Sequence, residues 1–235
     1  KIRLSSANSI NISRLVPQAF YYFEAYKQME LEGDPVVFCV PSGNFGNLTA
    51  GLLAEQMGLP VHHFIAATNA NDVVPEYLRK GLYRPRPSIR TISNAMDVGN
   101  PSNFARMLDV FSHPESTSDT AWAAMRNAIS GFAFSDEETE RAVREVSEHY
   151  NYVMDPHGAV GYLALNAFQR VNPSTRGVIL ETAHPSKFKE DMERILGRGI
   201  AVPERLASLA HRNKVATSMS TNFGDFKEWL EDNLA

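Results

Sequence analysis

Hydrophobic and polar positions change their spacing repeatedly along this chain, and each change marks an element. "NISRLVPQAFYYFEAYKQM" (11–29) spaces its apolar residues for a helix, with Pro17 placed to kink it. A continuous apolar run predicts a buried strand at 36–40. A glycine-bearing turn follows, then a helix at 47–57 that "GLP" closes. "VHHFIAAT" (61–68) reads as a second strand and "SIRTIS" (88–93) as a weaker third. Helical spacing recurs at 101–111, 118–129, 136–150 and 158–170. "GVILETA" (177–183) is a further buried strand, "PSKFKEDMERILG" (185–197) the helix after it, and "FGDFKEWLEDNL" (223–234) a last amphipathic segment. "LYRPRPS" and "SHPEST" are loops by their proline and serine content. Strands alternating with helices predict an α/β fold, an open, mostly parallel sheet flanked by helices on both faces.

Composition narrows the class. At 235 residues, 43% hydrophobic and 21% charged, the chain can bury one substantial core and a subdomain. The net charge of −4 comes from interspersed acids and bases, which favours neither nucleic acid nor an anionic membrane surface. No apolar run approaches the roughly 20 residues of a membrane-spanning helix, and no signal-peptide pattern is present, so the cytoplasm is the expected compartment. The single cysteine, Cys39, sits in an apolar run and reads as inert core. "HH" at 62–63 lacks partners at metal-ligand spacing. The opening "KIRLSSANSIN" is already patterned sequence without an initiator methionine, and reads as a piece that begins inside a larger protein.

"VFCVPSGNFGNLTAGLLAEQMG" (37–58) carries the chemistry. A strand feeding a glycine turn that opens a helix leaves backbone N–H groups at the positive end of the helix dipole. Gly43 and Gly46 let the main chain approach a ligand without Cβ interference. Asn44 and Asn47 can hydrogen-bond oxygens or cap the helix. The arrangement suits an anion, above all phosphate. It is neither a Walker loop, which needs Gly-Lys-Ser/Thr where Gly46-Asn47-Leu48 stands, nor a three-glycine dinucleotide fingerprint. An ordinary strand-to-helix turn with an asparagine cap is the alternative on the local pattern alone.

The same stretch resembles the phosphate-binding loop of the threonine synthases, pyridoxal-phosphate enzymes of fold type II. "SSANSINISRLVPQAFYYFEAY", "FIAATNANDVVPEYL", "TISNAMDVGNPSNF", "DPHGAVGYLAL" and "ETAHPSKF" resemble further blocks of that family in the same order. Together they cover most of residues 5 to 197, and the last forty residues carry little of the likeness. The resemblance implies a tryptophan synthase β-like large-domain portion. Residues 1–197 would then form the C-terminal part of the catalytic domain and 198–235 a helical extension. It places the phosphate of pyridoxal 5'-phosphate on the amides of Ser42, Gly43, Asn44, Phe45, Gly46 and Asn47. Thr182 would meet the pyridine nitrogen, as a neutral hydroxyl that does not hold the ring protonated as a carboxylate would. On the local pattern alone, Thr182 is a β-branched residue ending a strand.

The family's substrate, O-phosphohomoserine, brings a second phosphate. Residues 8–14 match the family pattern N-S-x-N-x-x-R, in which Asn8, Ser9 and Arg14 would bind it. Arginine's planar fork suits an oxyanion. Alternatively Asn8 or Ser9 caps the helix and Arg14 is a solvated residue. His184 and Lys187 are expected to line the same cavity, and His157 reads as structural. The family's Schiff-base lysine belongs to an S-F-K-D motif in its N-terminal half, and the lysines here stand at 1, 27, 80, 187, 189, 214 and 227, none in such a motif. No catalytic residue is therefore assigned. The resemblance implies the C-terminal portion of an enzyme that converts O-phosphohomoserine and water to L-threonine and phosphate. This portion alone would be inactive, its partner being the remaining half. A non-catalytic phosphate-metabolite binding module and another fold-type II lyase or dehydratase are the alternatives.

Overall fold

The computed structural model describes residues 11–29, 33–112, 114–209, 212–213 and 215–234. Asn8 and Ser9 lie outside the described residues. Those up to Ile200 form one compact unit, and those from Ala201 onward belong to a second.

The first unit opens with α1 (Ile12–Gln28), whose N-cap is Asn11. The Asn11 side-chain oxygen accepts the Ser13 N–H at 3.0 Å. Then come β1 (Val36–Pro41), α2 (Gly46–Gln56), β2 (His63–Thr68) and α3 (Val73–Lys80). After a loop carrying a short 3-10 turn at Asn94–Met96 follow α4 (Phe104–Phe111), α5 (Ser118–Ala128) and β3 (Ile129–Ala133). α6 (Asp136–Tyr150), α7 (Pro156–Gln169), β4 (Arg176–Ile179), a 3-10 turn at Pro185–Phe188 and α8 (Lys189–Leu196) complete it. The second unit contains α9 (Glu204–Ala207) and α10 (Phe223–Leu234). Among the described residues no helix is long and apolar enough to cross a membrane.

The sheet order is β3-β2-β1-β4, and every pairing is parallel. Alternation along the strands divides the core in two. Val36, Phe38 and Val40 of β1 and Phe64 and Ala66 of β2 pack with Ala19 and Tyr22 of α1 and Leu48 and Leu52 of α2. Val37, Cys39, Ile65 and Ala67 point the other way, onto Val160, Ala164, Leu165 and Phe168 of α7. Both faces of the central strands are thus apolar and covered, which is why β1 and β2 read as continuous hydrophobic runs. A third cluster joins Val143 and Val146 of α6 to Met192 and Ile195 of α8.

Three expectations differ from the structure. Residues 88–93 form no strand, because Thr91 and Ser93 turn their hydroxyls into a buried polar network with Asn69 and Asp97. The strand expected at 177–183 spans Arg176–Ile179 and is half-buried, since it pairs along one side with β1. The third strand beside β2 is instead β3, which begins where α5 ends.

Candidate functional site

The strand order runs from β1 outward to β2 and β3, and then returns to place β4 on the other side of β1. The crevice beyond the carboxyl ends of β1 and β4 is the switch point where open α/β sheets bind ligands. A cavity of about 600 Å³ opens there. Gly43 and Asn47 of the β1–α2 turn form one lip, and Leu180 and Thr182, just past β4, the other. Ser13, Arg14, Gln18 and Tyr21 of α1 close one side, and Ala95, Met96, His157 and Lys187 add to the wall. Among its described lining residues the ionic side chains are Arg14 and Lys187, so the cavity is electropositive.

The turn leaves β1 at Pro41 and enters α2 at Gly46. Phe45, the residue between turn and helix, has left-handed backbone at φ 60°, ψ 15°. That conformation costs a non-glycine residue about 1 kcal/mol. Burying the Phe45 ring in the α1–α2 core, where it is 3% exposed, more than offsets it. Among the described residues no side chain caps α2, so its first amides stand at the positive end of the helix dipole, where negative charge is favoured.

The two asparagines are spent otherwise than on capping. Asn44 Oδ1 accepts the Ser102 N–H at 2.6 Å, tying the turn to the segment before α4. Asn47 Oδ1 accepts from the Tyr22 hydroxyl at 2.9 Å and from that of Tyr21. Burial pushes the Tyr21 hydroxyl up to about 12, so it stays a neutral donor beside the cavity. Ser42 departs from expectation. Its N–H donates to the Ala67 carbonyl at 2.8 Å and its hydroxyl to the Val40 carbonyl at 2.9 Å, so the Ser42 amide is taken up at the end of the sheet and the residues of the turn that line the cavity begin at Gly43.

Past β4 the Leu180 N–H still donates to the Cys39 carbonyl at 3.0 Å, and the segment that follows lines the cavity with Leu180, Thr182 and Ala183. Glu181, between the first two, turns away. Its carboxylate accepts the Tyr152 hydroxyl at 2.6 Å and the Asp155 N–H at 3.1 Å, and burial raises its pKa. The polar group offered to the cavity from this segment is therefore a hydroxyl. Lys187 lines the cavity as expected, with Nζ 5.5 Å from the Phe188 ring centre. His184 does not. Its ring accepts the Ser186 N–H at 3.1 Å and caps the 3-10 turn. Cys39 is inert core, its thiol pKa raised by burial and its Sγ 3.2 Å from the Gly161 carbonyl.

Arg14 and Thr182 are thus brought to one cavity with the glycine turn, from positions far apart in sequence. Tyr21, Met96 and His157 complete the wall; all three lie in the blocks that resemble the family, but no binding role is assigned to them there. The electropositive lining, the uncapped helix end and the hydroxyl opposite it fit pyridoxal phosphate, and the volume is of the size that holds a small ligand.

Comparison with known proteins agrees. Residues 6–182 match the family model of the pyridoxal-phosphate dependent enzymes, and residues 158–229 that of the threonine synthase C-terminal region. The second match runs well past residue 197, so the tail carries more of the likeness than the sequence blocks indicated. The chain is 44% identical over 230 residues to a threonine synthase of Serratia marcescens, covering 97% of this chain and 51% of that protein. The crystal structure of threonine synthase from Escherichia coli superposes with a TM-score of 0.87 at 43% identity, over 97% of this chain and 51% of the other. The pyridoxal-phosphate-bound threonine synthase of Brucella melitensis gives 0.86 at 31% identity, over 97% and 53%. The chain spans about half the length of the curated relatives it matches. It belongs to the pyridoxal-phosphate dependent enzyme family, and within it its similarity is to the threonine synthases.

Proposed function

We propose that this chain works as the C-terminal portion of a threonine synthase, converting O-phosphohomoserine and water to L-threonine and phosphate in the cytoplasm. Residues 1–197 serve as part of the catalytic domain and 198–235 as a helical extension. The observation that carries the proposal is one cavity presenting two anion anchors, the N-terminus of α2 and Arg14, with the Thr182 hydroxyl on the opposite lip. The amides from Gly43 to Asn47 would hold the cofactor's phosphate, and Thr182 would face its ring nitrogen. When bound, pyridoxal phosphate supplies an electron sink beside the substrate's amino-bearing carbon. Arg14, with Asn8 and Ser9, would grip the substrate's phosphate and set the leaving group's direction. Lys187 adds positive charge that favours an oxyanion in the same space. The lysine that would move the substrate's protons belongs to the remaining half, and the chain alone makes no threonine.

Arg14→Lys in the complete enzyme tests this. Lysine keeps the charge but loses the bidentate fork, a cost of about 1–3 kcal/mol for a charge-assisted contact, or roughly 5- to 150-fold. O-phosphohomoserine use should fall by that factor while pyridoxal phosphate is retained. Equal loss of both would mean that Arg14 supports the fold. A complete protein that binds phosphate but releases no threonine from O-phosphohomoserine would favour a binding module instead.

A further inference from the structure

We infer that His157 is a positioning residue: it sets the height of the Ala95–Met96 turn above Gly43, and through that turn the affinity of the anion cradle. The inference rests on reading the Gly43–Asn47 turn as a phosphate site.

The path can be followed atom by atom. Asp155 is fully buried as the N-cap of α7 and accepts the His157 N–H at 2.8 Å. The same carboxylate oxygen lies 2.6 Å from His157 Nδ1, while Nε2 accepts the Ala95 N–H at 3.2 Å. An Nε2 that accepts requires the ring proton on Nδ1, where it is donated to Asp155. The ring also rests against Phe188, with centroids 4.8 Å apart. One tautomer and one ring orientation therefore follow from the buried carboxylate.

On its far side the turn is held by Asp97, whose Oδ1 accepts from the Thr91 hydroxyl at 2.7 Å and the Asn69 amide at 2.9 Å. Between these two holds the backbone of residues 95–96 roofs the glycine. A Cβ on Gly43 would stand 2.6 Å from Met96 Cα and 3.1 Å from the Ala95 carbonyl oxygen. The Asp97 hold is anchored in the loop after β2, whereas the His157 hold reaches the turn from α7 and itself lines the cavity. Releasing His157 lets the turn lift where it meets the cradle.

Two variants separate positioning from bulk stability. His157→Phe keeps the ring shape and removes both nitrogens, and His157→Gln offers a side-chain oxygen to the Ala95 N–H. Amide exchange at residues 95–96 and titration with inorganic phosphate are the readouts. Losing the Ala95 N–H bond, along with the Nδ1–H bond to Asp155 that orients the ring, should speed exchange there, and weaken phosphate binding, by about five- to tenfold or more in His157→Phe, with Gln, which restores the Ala95 bond, recovering most of both. His157→Leu replaces His157→Phe should the latter not fold. Unchanged exchange, or faster exchange with unchanged phosphate affinity, overturns the inference alone. A wild-type chain that binds no phosphate overturns the cradle and the inference together.

Discussion

Replacing Gly43 with alanine puts one methyl group where the structure has no room for it. Gly43 does not have the left-handed backbone that would strain alanine, so the whole effect is steric. The new Cβ would meet Met96 Cα at 2.6 Å and the Met96 carbonyl carbon at 3.1 Å, both main-chain atoms. Ordinary carbon contacts lie at about 3.5–4.0 Å, so the turn must retreat by about 1 Å. Its internal hydrogen bonds resist that, Met96 N–H to Ser93 O at 2.9 Å and Val98 N–H to Met96 O at 2.8 Å. The Met96 side chain, 3% exposed, would also be drawn out of the core below α7. Overpacking of this kind costs about 1–3 kcal/mol, and the lower entropy of an unfolded alanine returns about 0.4–1 kcal/mol. The net loss should be about 1–2 kcal/mol by urea unfolding, together with weaker binding of phosphate and pyridoxal phosphate. A variant as stable as the wild type, or more stable, would refute the close approach of turn and glycine.

Acid should weaken the fold through His63. Burial, with a smaller push from His62, lowers its pKa from 6.5 to about 4, so the unfolded chain takes up this proton first and stability falls from about pH 6.5 to about pH 4. The full shift corresponds to roughly 3 kcal/mol, and solvent screening of the partly exposed ring reduces this to about 1–2 kcal/mol. Urea unfolding at pH 7 and pH 4.5 should show that loss in the wild type and not in His63→Gln, and equal slopes would contradict it. Tyr22→Phe removes a fully buried hydroxyl whose one proton is shared between Asn47 O at 2.8 Å and Asn47 Oδ1 at 2.9 Å and should cost about 1 kcal/mol. Tyr21→Phe, at the cavity's edge, should cost less, and the reverse order would show that the pair is misassigned.

What could be read from sequence was what local chemistry determines. α6 was expected at 136–150 and spans Asp136–Tyr150, because Ser135 and Glu138 form a capping box that marks its start. β3 was hidden because α5 passes into it at Ile129 without a turn residue, and because Gly131 breaks its apolar pattern. That glycine is small for a tertiary reason, since a Cβ there would stand 2.7 Å from Pro75 Cα. α3 was missed for a related reason, as Pro75 sits in its first turn and it spans only Val73–Lys80. At the site the glycine turn was legible, whereas the turn's roof was not. Ala95 reaches His157 across 62 residues, and Tyr21 reaches Asn47 across 26, separations that no local spacing encodes.

The strand order also governs when the cavity can exist. β1 meets β2 after a short crossover, but its other edge waits for β4, with Val36 paired to Arg176 about 140 positions later. Local pairing can therefore assemble the glycine turn and α2 early, while the lip that carries Thr182 is a late arrival that must first close a long loop of chain. During refolding, circular dichroism and core fluorescence should recover before affinity for pyridoxal phosphate, which needs both lips, does. Ligand binding then times the docking of the last strand, a step that probes of collapse do not register.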